Sequence, residues 1–204
     1  GGGWPALVQR STRVPVTGTS CSRSSRRRAV TMTSSMSVAR GALVCASLSA
    51  KDLGTHPVFK HYIGSWKAEG ELKGENNVIT IKEEWTGKTD GDNAFLIEGT
   101  RTINGDTQPF KWAITYNEGA DSYDATVSGA DGTQMLRFEG RAFEANLTLE
   151  LKAITGSGQS AITIIDSFKG EARDVLESKV TSTGDAGQTT LEGVIKHQKE
   201  KSAP

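Results

Sequence analysis

Several ionisable side chains stand among apolar neighbours at two-residue spacing. Arg101 shares parity with Phe95, Ile97 and Ile103, Glu83 with Ile79, Ile81 and Trp85, and Asp166 with Ile162, Ile164 and Phe168. His197 follows Leu191, Gly193 and Ile195 in the same way. In an extended chain, residues two apart share a face, so each of these polar groups points where its apolar neighbours point. A charge does not stay buried unless it is paired, hydrated or bound to a ligand. Three arrangements meet that requirement. In the first, a water-containing cavity lets Arg101 receive a ligand carboxylate through a bidentate contact. In the second, Arg101 pairs internally with Glu83 or Asp166, and in the third a bulge turns one of these groups outward. His197 precedes the polar end "QKEKSAP" and reads as a frayed, solvated residue. At a cavity rim the same imidazole would serve as acid, base or iron ligand.

No other pattern points to catalysis. There is no Gly-x-Ser-x-Gly elbow, and "GSGQS" reads as a hairpin loop. A phosphate loop is likewise absent, because the glycines separate strands and none precedes a helix with Lys-Ser or Lys-Thr. His56 and His61 lack the i, i+4 spacing that would turn both toward one ion, so neither a metal site nor a cofactor is expected.

The elements that must carry these residues are strands. From Trp66 onward the chain alternates with period two, and the runs are separated by "TDGDN", "NGD", "NEGAD", "GADGT", "GSG" and "TGDAG". Such clusters supply residues that tolerate the positive φ angles of tight hairpins. The pattern predicts strands over residues 65–73, 77–86, 94–103, 109–117, 122–128, 133–141, 146–154, 160–167, 172–181 and 188–196. The connections are too short for crossover helices, so each strand pairs antiparallel with the next. Closing the sheet removes its exposed edges. The expected fold is therefore all-β: a single antiparallel up-and-down barrel of about ten strands.

Alternation also assigns the faces. Trp66, Ala68, Gly70 and Leu72 face inward, as do Phe110, Trp112, Ile114 and Tyr116, and Leu147, Leu149, Leu151 and Ala153. The Phe110 to Tyr116 stripe, with Arg101, Glu83 and Asp166, is the expected ligand-binding surface. Ahead of the first strand, "THPVFKHYIG" reads as a short helical turn, with Thr55 as its cap, Pro57 in its first turn and Gly64 at its end. A helix so short is unstable alone, so it is expected to plug one end of the barrel beside Trp66.

Charge divides the chain in two. Residues 1–51 carry 8 basic residues and no acidic one, whereas residues 52–204 carry 16 basic against 24 acidic residues, a net −8. The expected organisation is a targeting or disordered leader over 1–51 and one barrel domain over 52–204. The Arg- and Ser-rich, acid-free leader reads as a transit peptide to a plastid or mitochondrion. A second reading starts at Met32 or Met36, uses "GALVCASL" as an apolar core and is cleaved near Ser49 or Ala50, which would make the protein secreted or periplasmic. A third takes the segment as untranslated sequence. An acidic domain is a poor partner for nucleic acid, and no run of about 18 apolar residues provides a membrane-spanning helix. Both cysteines, Cys21 and Cys45, lie in the leader, so the domain has neither disulfide nor thiolate site.

A short helix running into Gly64-x-Trp66 and then a ten-stranded meander resembles the lipocalin-like superfamily, which includes fatty-acid-binding proteins and nitrobindins. "IGSWKAEGEL", "TDGDNAFLIEG" and "YNEGADSY" look most like the DUF1579-type proteins of that superfamily, over about residues 55–200. The resemblance implies that Trp66 packs across the closed end and that the interior holds a small, mostly apolar or amphipathic molecule. The nitrobindin pattern Gly-x-Trp-x-Gly-x-Gly becomes Gly64-Ser65-Trp66-Lys67-Ala68-Glu69-Gly70 here, with one glycine missing. Alternative functions on the same scaffold are an isomerase or cyclase using Glu83, Asp166 or His197, and haem binding of the nitrobindin kind.

Overall fold

A computed structural model describes residues 52–129, 131–154, 161–184 and 187–201. The leader expected over residues 1–51 lies outside them. After a one-turn helix α1 (Phe59–Tyr62), the chain forms β1 (Gly64–Gly74), β2 (Val78–Thr89), β3 (Ala94–Ile103), β4 (Asp106–Asn117) and β5 (Ser122–Gly129). β6 (Gln134–Phe143), β7 (Thr148–Ala153), β8 (Ala161–Lys169), β9 (Val175–Thr183) and β10 (Thr189–Lys199) follow. Every strand pairs antiparallel with the next, and β1 pairs with β10 to close the barrel. The expected ten-stranded up-and-down barrel is what forms. Closure leaves no strand edge to template aggregation.

Local departures from the sequence reading have local causes. The seventh strand begins at Thr148, because Glu144–Asn146 make a 3-10 turn and Leu147 adopts a left-handed conformation with φ 50°. Leu147 therefore lies outside the strand row of Leu149 and Leu151, although it stays half-buried against the core. Thr148, expected outward, is buried, with its hydroxyl 3.3 Å from the Asn146 carbonyl. Thr55 does not cap the helix. Its hydroxyl bonds Asp52, and Val58 occupies the cap position without a side-chain bond.

The helix closes one end of the barrel. Leu53, Val58, Phe59 and Tyr62 are fully buried against Trp66, Trp85, Phe95 and Phe168. The Trp66 indole donates Nε1–H to the Tyr62 carbonyl at 3.0 Å and stacks on Trp85, with ring centroids 5.3 Å apart and planes 15° from parallel. That bond satisfies one helix-end carbonyl that the short helix cannot satisfy itself. Gly64 makes the reversal from helix into β1 with φ 116°, a conformation open to glycine. At Gly87 the reason is space, since any Cβ there would collide with the Tyr62 carbonyl oxygen. The plug is thus set by Trp66 from one strand and by a missing side chain on the next.

Candidate functional site

Beneath the plug the inward side chains do not fill the barrel. A cavity of about 370 Å3 runs from Tyr62 and Trp85 to Asn77 and Asn104 at the opposite end. Ile97, Trp112, Ile162, Ile164 and Val180 face inward yet are only half-buried, because they line this space and pack against one another incompletely. Toward the far end the wall is apolar: Leu72, Ile79, Ile103, Met135, Leu136 and Leu191.

The polar groups gather at the plugged end. Register explains why: Glu83 lies opposite Arg101 on one side and Ala68 on the other, Ala68 lies opposite His197, and Asp166 lies opposite Ser178. One belt around the barrel therefore carries Arg101, Glu83, His197, Ser178 and Asp166. The small Ala68 leaves room between Glu83 and His197.

Arg101 donates Nε–H to Glu83 Oε1 at 2.5 Å, and its guanidinium carbon sits 4.6 Å from the Phe110 ring centroid. Both charged side chains are largely shielded, 14% and 5% exposed. Of the three arrangements open to the sequence, the internal pair with Glu83 is the one the structure contains. Ring stacking adds a cation–π contact on the face Glu83 does not reach.

His197 corrects the sequence reading. It is buried, not frayed, because β10 runs on to Lys199 and pairs with β1 through that end. The Trp85 indole, which can only donate, gives Nε1–H to His197 Nδ1 at 3.1 Å. Nδ1 is therefore the acceptor, and the neutral ring carries its proton on Nε2, which donates to Ser178 Oγ at 3.0 Å. Burial, with a smaller push from Arg101, lowers the imidazole pKa, while Glu83 and Asp166 oppose that shift. Trp85 thus stabilises a neutral histidine whose two nitrogens are both engaged.

That tautomer rules out two chemistries. Ser178 and His197 resemble a nucleophile and its base, but the nitrogen facing Ser178 already holds a proton and cannot take another. A haem iron needs a free ring nitrogen, and His197 offers none on the cavity wall. The other histidines lie on the plug segment: His56 is buried with Nε2 3.1 Å from Tyr123 Oη, and His61 packs on Phe168. None of the three histidines offers a haem iron a free nitrogen on the cavity wall.

Asp166 stands apart. Tyr62 donates its hydroxyl to Asp166 Oδ2 at 2.8 Å, while the buried Oδ1 has no hydrogen-bond partner. Burial raises this carboxyl's pKa, and Glu83 adds to the rise; Ser178, His197 and Tyr62 pull it back. The same environment pushes the Tyr62 hydroxyl well up, with Asp166 adding to burial. Because Tyr62 belongs to α1, the plug is bonded to the polar belt it covers.

Of the expected lining residues, Phe110, Trp112, Ile114, Arg101, Glu83 and Asp166 are on the cavity wall. Tyr116 is not. It lies at the plugged end, donates its hydroxyl to Asp121 Oδ1 at 2.6 Å and packs on Tyr123. Ser178 and Tyr62 were missed. Ser178 alternates with Leu176 and Val180, so strand parity marked it as inward, but an uncharged serine raises no alarm in a pattern. Tyr62 gave no signal beyond its apolar face on the helix.

Fold and cavity together define a closed ten-stranded barrel with an internal polar pole. No family model and no curated protein matches the chain. Among solved structures, the S-type phycobiliprotein lyase CPES from Guillardia theta is similar at TM-score 0.51 and 10% identity, over 71% of this chain and 91% of that one. Rv2717c from M. tuberculosis is similar at TM-score 0.52 and 11% identity, over 69% of this chain and 94% of that one. At such identities the likeness concerns the barrel fold. No helix among the described residues is long and apolar enough to cross a membrane.

Proposed function

We propose that the barrel binds one small amphipathic molecule, its polar end under the plug and its apolar end toward Asn77 and Asn104, without transforming it. The observation that carries this reading is the cavity itself: about 370 Å3, with apolar walls and, among the described residues, its ionisable groups at one pole. An interior kept only for stability would be filled, since voids cost packing energy. An isomerase needs a free acid and a free base. Here Glu83 is held by Arg101 and His197 by Trp85 and Ser178, which leaves Asp166 alone and favours binding over catalysis.

Placement in the lipocalin-like superfamily, near the DUF1579-type proteins, belongs to the same proposal and is supported by the Gly64-x-Trp66 entry and the plug. The acid-free leader supports an organellar destination, plastid or mitochondrion, with secretion or the periplasm as the alternative. Sequencing the mature N-terminus of the native protein decides between them. For the binding role, the full chain is purified and sprayed under native conditions before and after organic extraction. A bound mass that extraction removes is expected. A bare chain that also shows no change in Trp85 and Trp112 fluorescence with added amphiphiles ends the proposal.

A further inference from the structure

Arg101 invites the assumption that the ligand is a carboxylic acid, but the charges around it argue the opposite. Among the described residues, the ionisable cavity wall consists of Tyr62, Glu83, Arg101, Asp166 and His197. The guanidinium is bonded by Glu83 and lies over Phe110, so its charge already has a carboxylate in direct contact. His197 is kept neutral by the indole that donates to it, and Tyr62 is a neutral donor already given to Asp166. Asp166 makes no ion pair with any described residue, and its Oδ1 accepts no hydrogen bond. The pole therefore holds two carboxylates against one permanent cation, in a low-dielectric pocket where such an excess matters far more than at the surface.

Resting on the binding role above, we infer that the cavity selects an amphiphile with a cationic, hydrogen-bond-donating head, a protonated amine, and discriminates against a carboxylate. The ammonium group replaces the counter-charge that the protein withholds from Asp166. Three N–H donors on a compact head match the acceptors that Asp166 and Glu83 leave open, beside the donors of Arg101 and Ser178. A carboxylate brought to Arg101 would meet Glu83 beside it and Asp166 on the same belt, and would share a cation that Glu83 already holds. The apolar tail then runs along Ile79, Ile103 and Leu136 to the far end, leaving head-group selection to the plugged one.

The test uses the full chain and a matched set of ten-carbon probes, decylamine, decanol and decanoate, each below its micellar concentration at pH 7. Affinity is read by Trp85 and Trp112 fluorescence and by calorimetry. The expected order is decylamine, then decanol, then decanoate, with at least about a tenfold gap between the first and last. Asp166→Asn keeps an acceptor for Tyr62 and removes the charge. It is expected to cost decylamine about tenfold more affinity than it costs decanol, a charge-selective split that a merely structural role would not produce. Decanoate binding as tightly as decylamine, decanol matching decylamine on the unaltered chain, or an amine advantage that survives Asp166→Asn overturns the inference while leaving ligand binding in place. Failure of all three probes to bind removes the binding role itself.

Discussion

His197 is a neutral base with nowhere to put a second proton. Its folded pKa lies below the ordinary 6.5, so below that value the unfolded chain takes up a proton the native ring refuses. Stability from this group is full above 6.5 and declines as pH falls toward the folded value, at a limiting slope of about 1.4 kcal/mol per pH unit. His197→Gln is expected to be less stable at pH 7.5 yet to lose less between pH 7.5 and 5.5, as read from urea midpoints; an unchanged slope would assign the effect to His61, whose pKa burial also lowers. Asp166 has the opposite sign. With a folded pKa above 3.8, it stabilises the fold while protonated and costs stability as pH rises through its folded value. Asp166→Asn should therefore raise the melting temperature at neutral pH, by about 2–4 °C for a chain of this size. A lower melting temperature would mean that its charge is compensated. The Arg101–Glu83 pair predicts a cost instead: Arg101→Met leaves a shielded carboxylate unpaired, for about 3–5 kcal/mol. Adding Glu83→Gln should recover most of that loss, and a double-mutant cycle in urea measures it.

At the scale of elements, the plug matters more than its length suggests. α1 is a single turn that would not hold in isolation. It persists because Phe59 and Tyr62 are buried, because Trp66 bonds the Tyr62 carbonyl, and because Gly87 on β2 leaves space for that carbonyl. Gly87→Ala is expected to lift the plug, destabilise the fold by about 1–3 kcal/mol and shift tryptophan emission to the red as Trp66 and Trp85 meet water. Unaltered emission with unaltered stability would show that the plug relaxes around a methyl group without cost. Since Tyr62 also holds Asp166, the same variant loosens the polar belt from above.

Across the whole molecule, closure of β1 on β10 does two things at once. It removes the sheet edges, and it brings His197 of β10 beside Glu83 of β2 across a single intervening strand. The pole thus combines residues from β2, β3, β8, β9 and β10 that are separated by up to most of the domain's length. A bound amphiphile at a hundred times its dissociation constant should stabilise the native barrel by about 2.7 kcal/mol. The rise in melting temperature with probe concentration is then a second measure of the affinities proposed above.

Strand count, hairpin punctuation, the plug and the inward parity of Glu83, Arg101 and Asp166 were all legible in the chain, because period-two patterning and turn chemistry are local properties carried by neighbouring residues. Which charges meet was not. Whether Arg101 faces Glu83 or Asp166 depends on register and on the order of strands around a closed barrel. His197 was misread for the same reason: its place near the chain end suggests fraying, and only the β1 pairing across the closure holds that end in the interior. Its tautomer rests on an indole 112 positions away in sequence. Parity alone determined which side chains turn inward, and the tertiary structure decided which of them touch, because contact across a barrel is a matter of register and closure that no local pattern encodes.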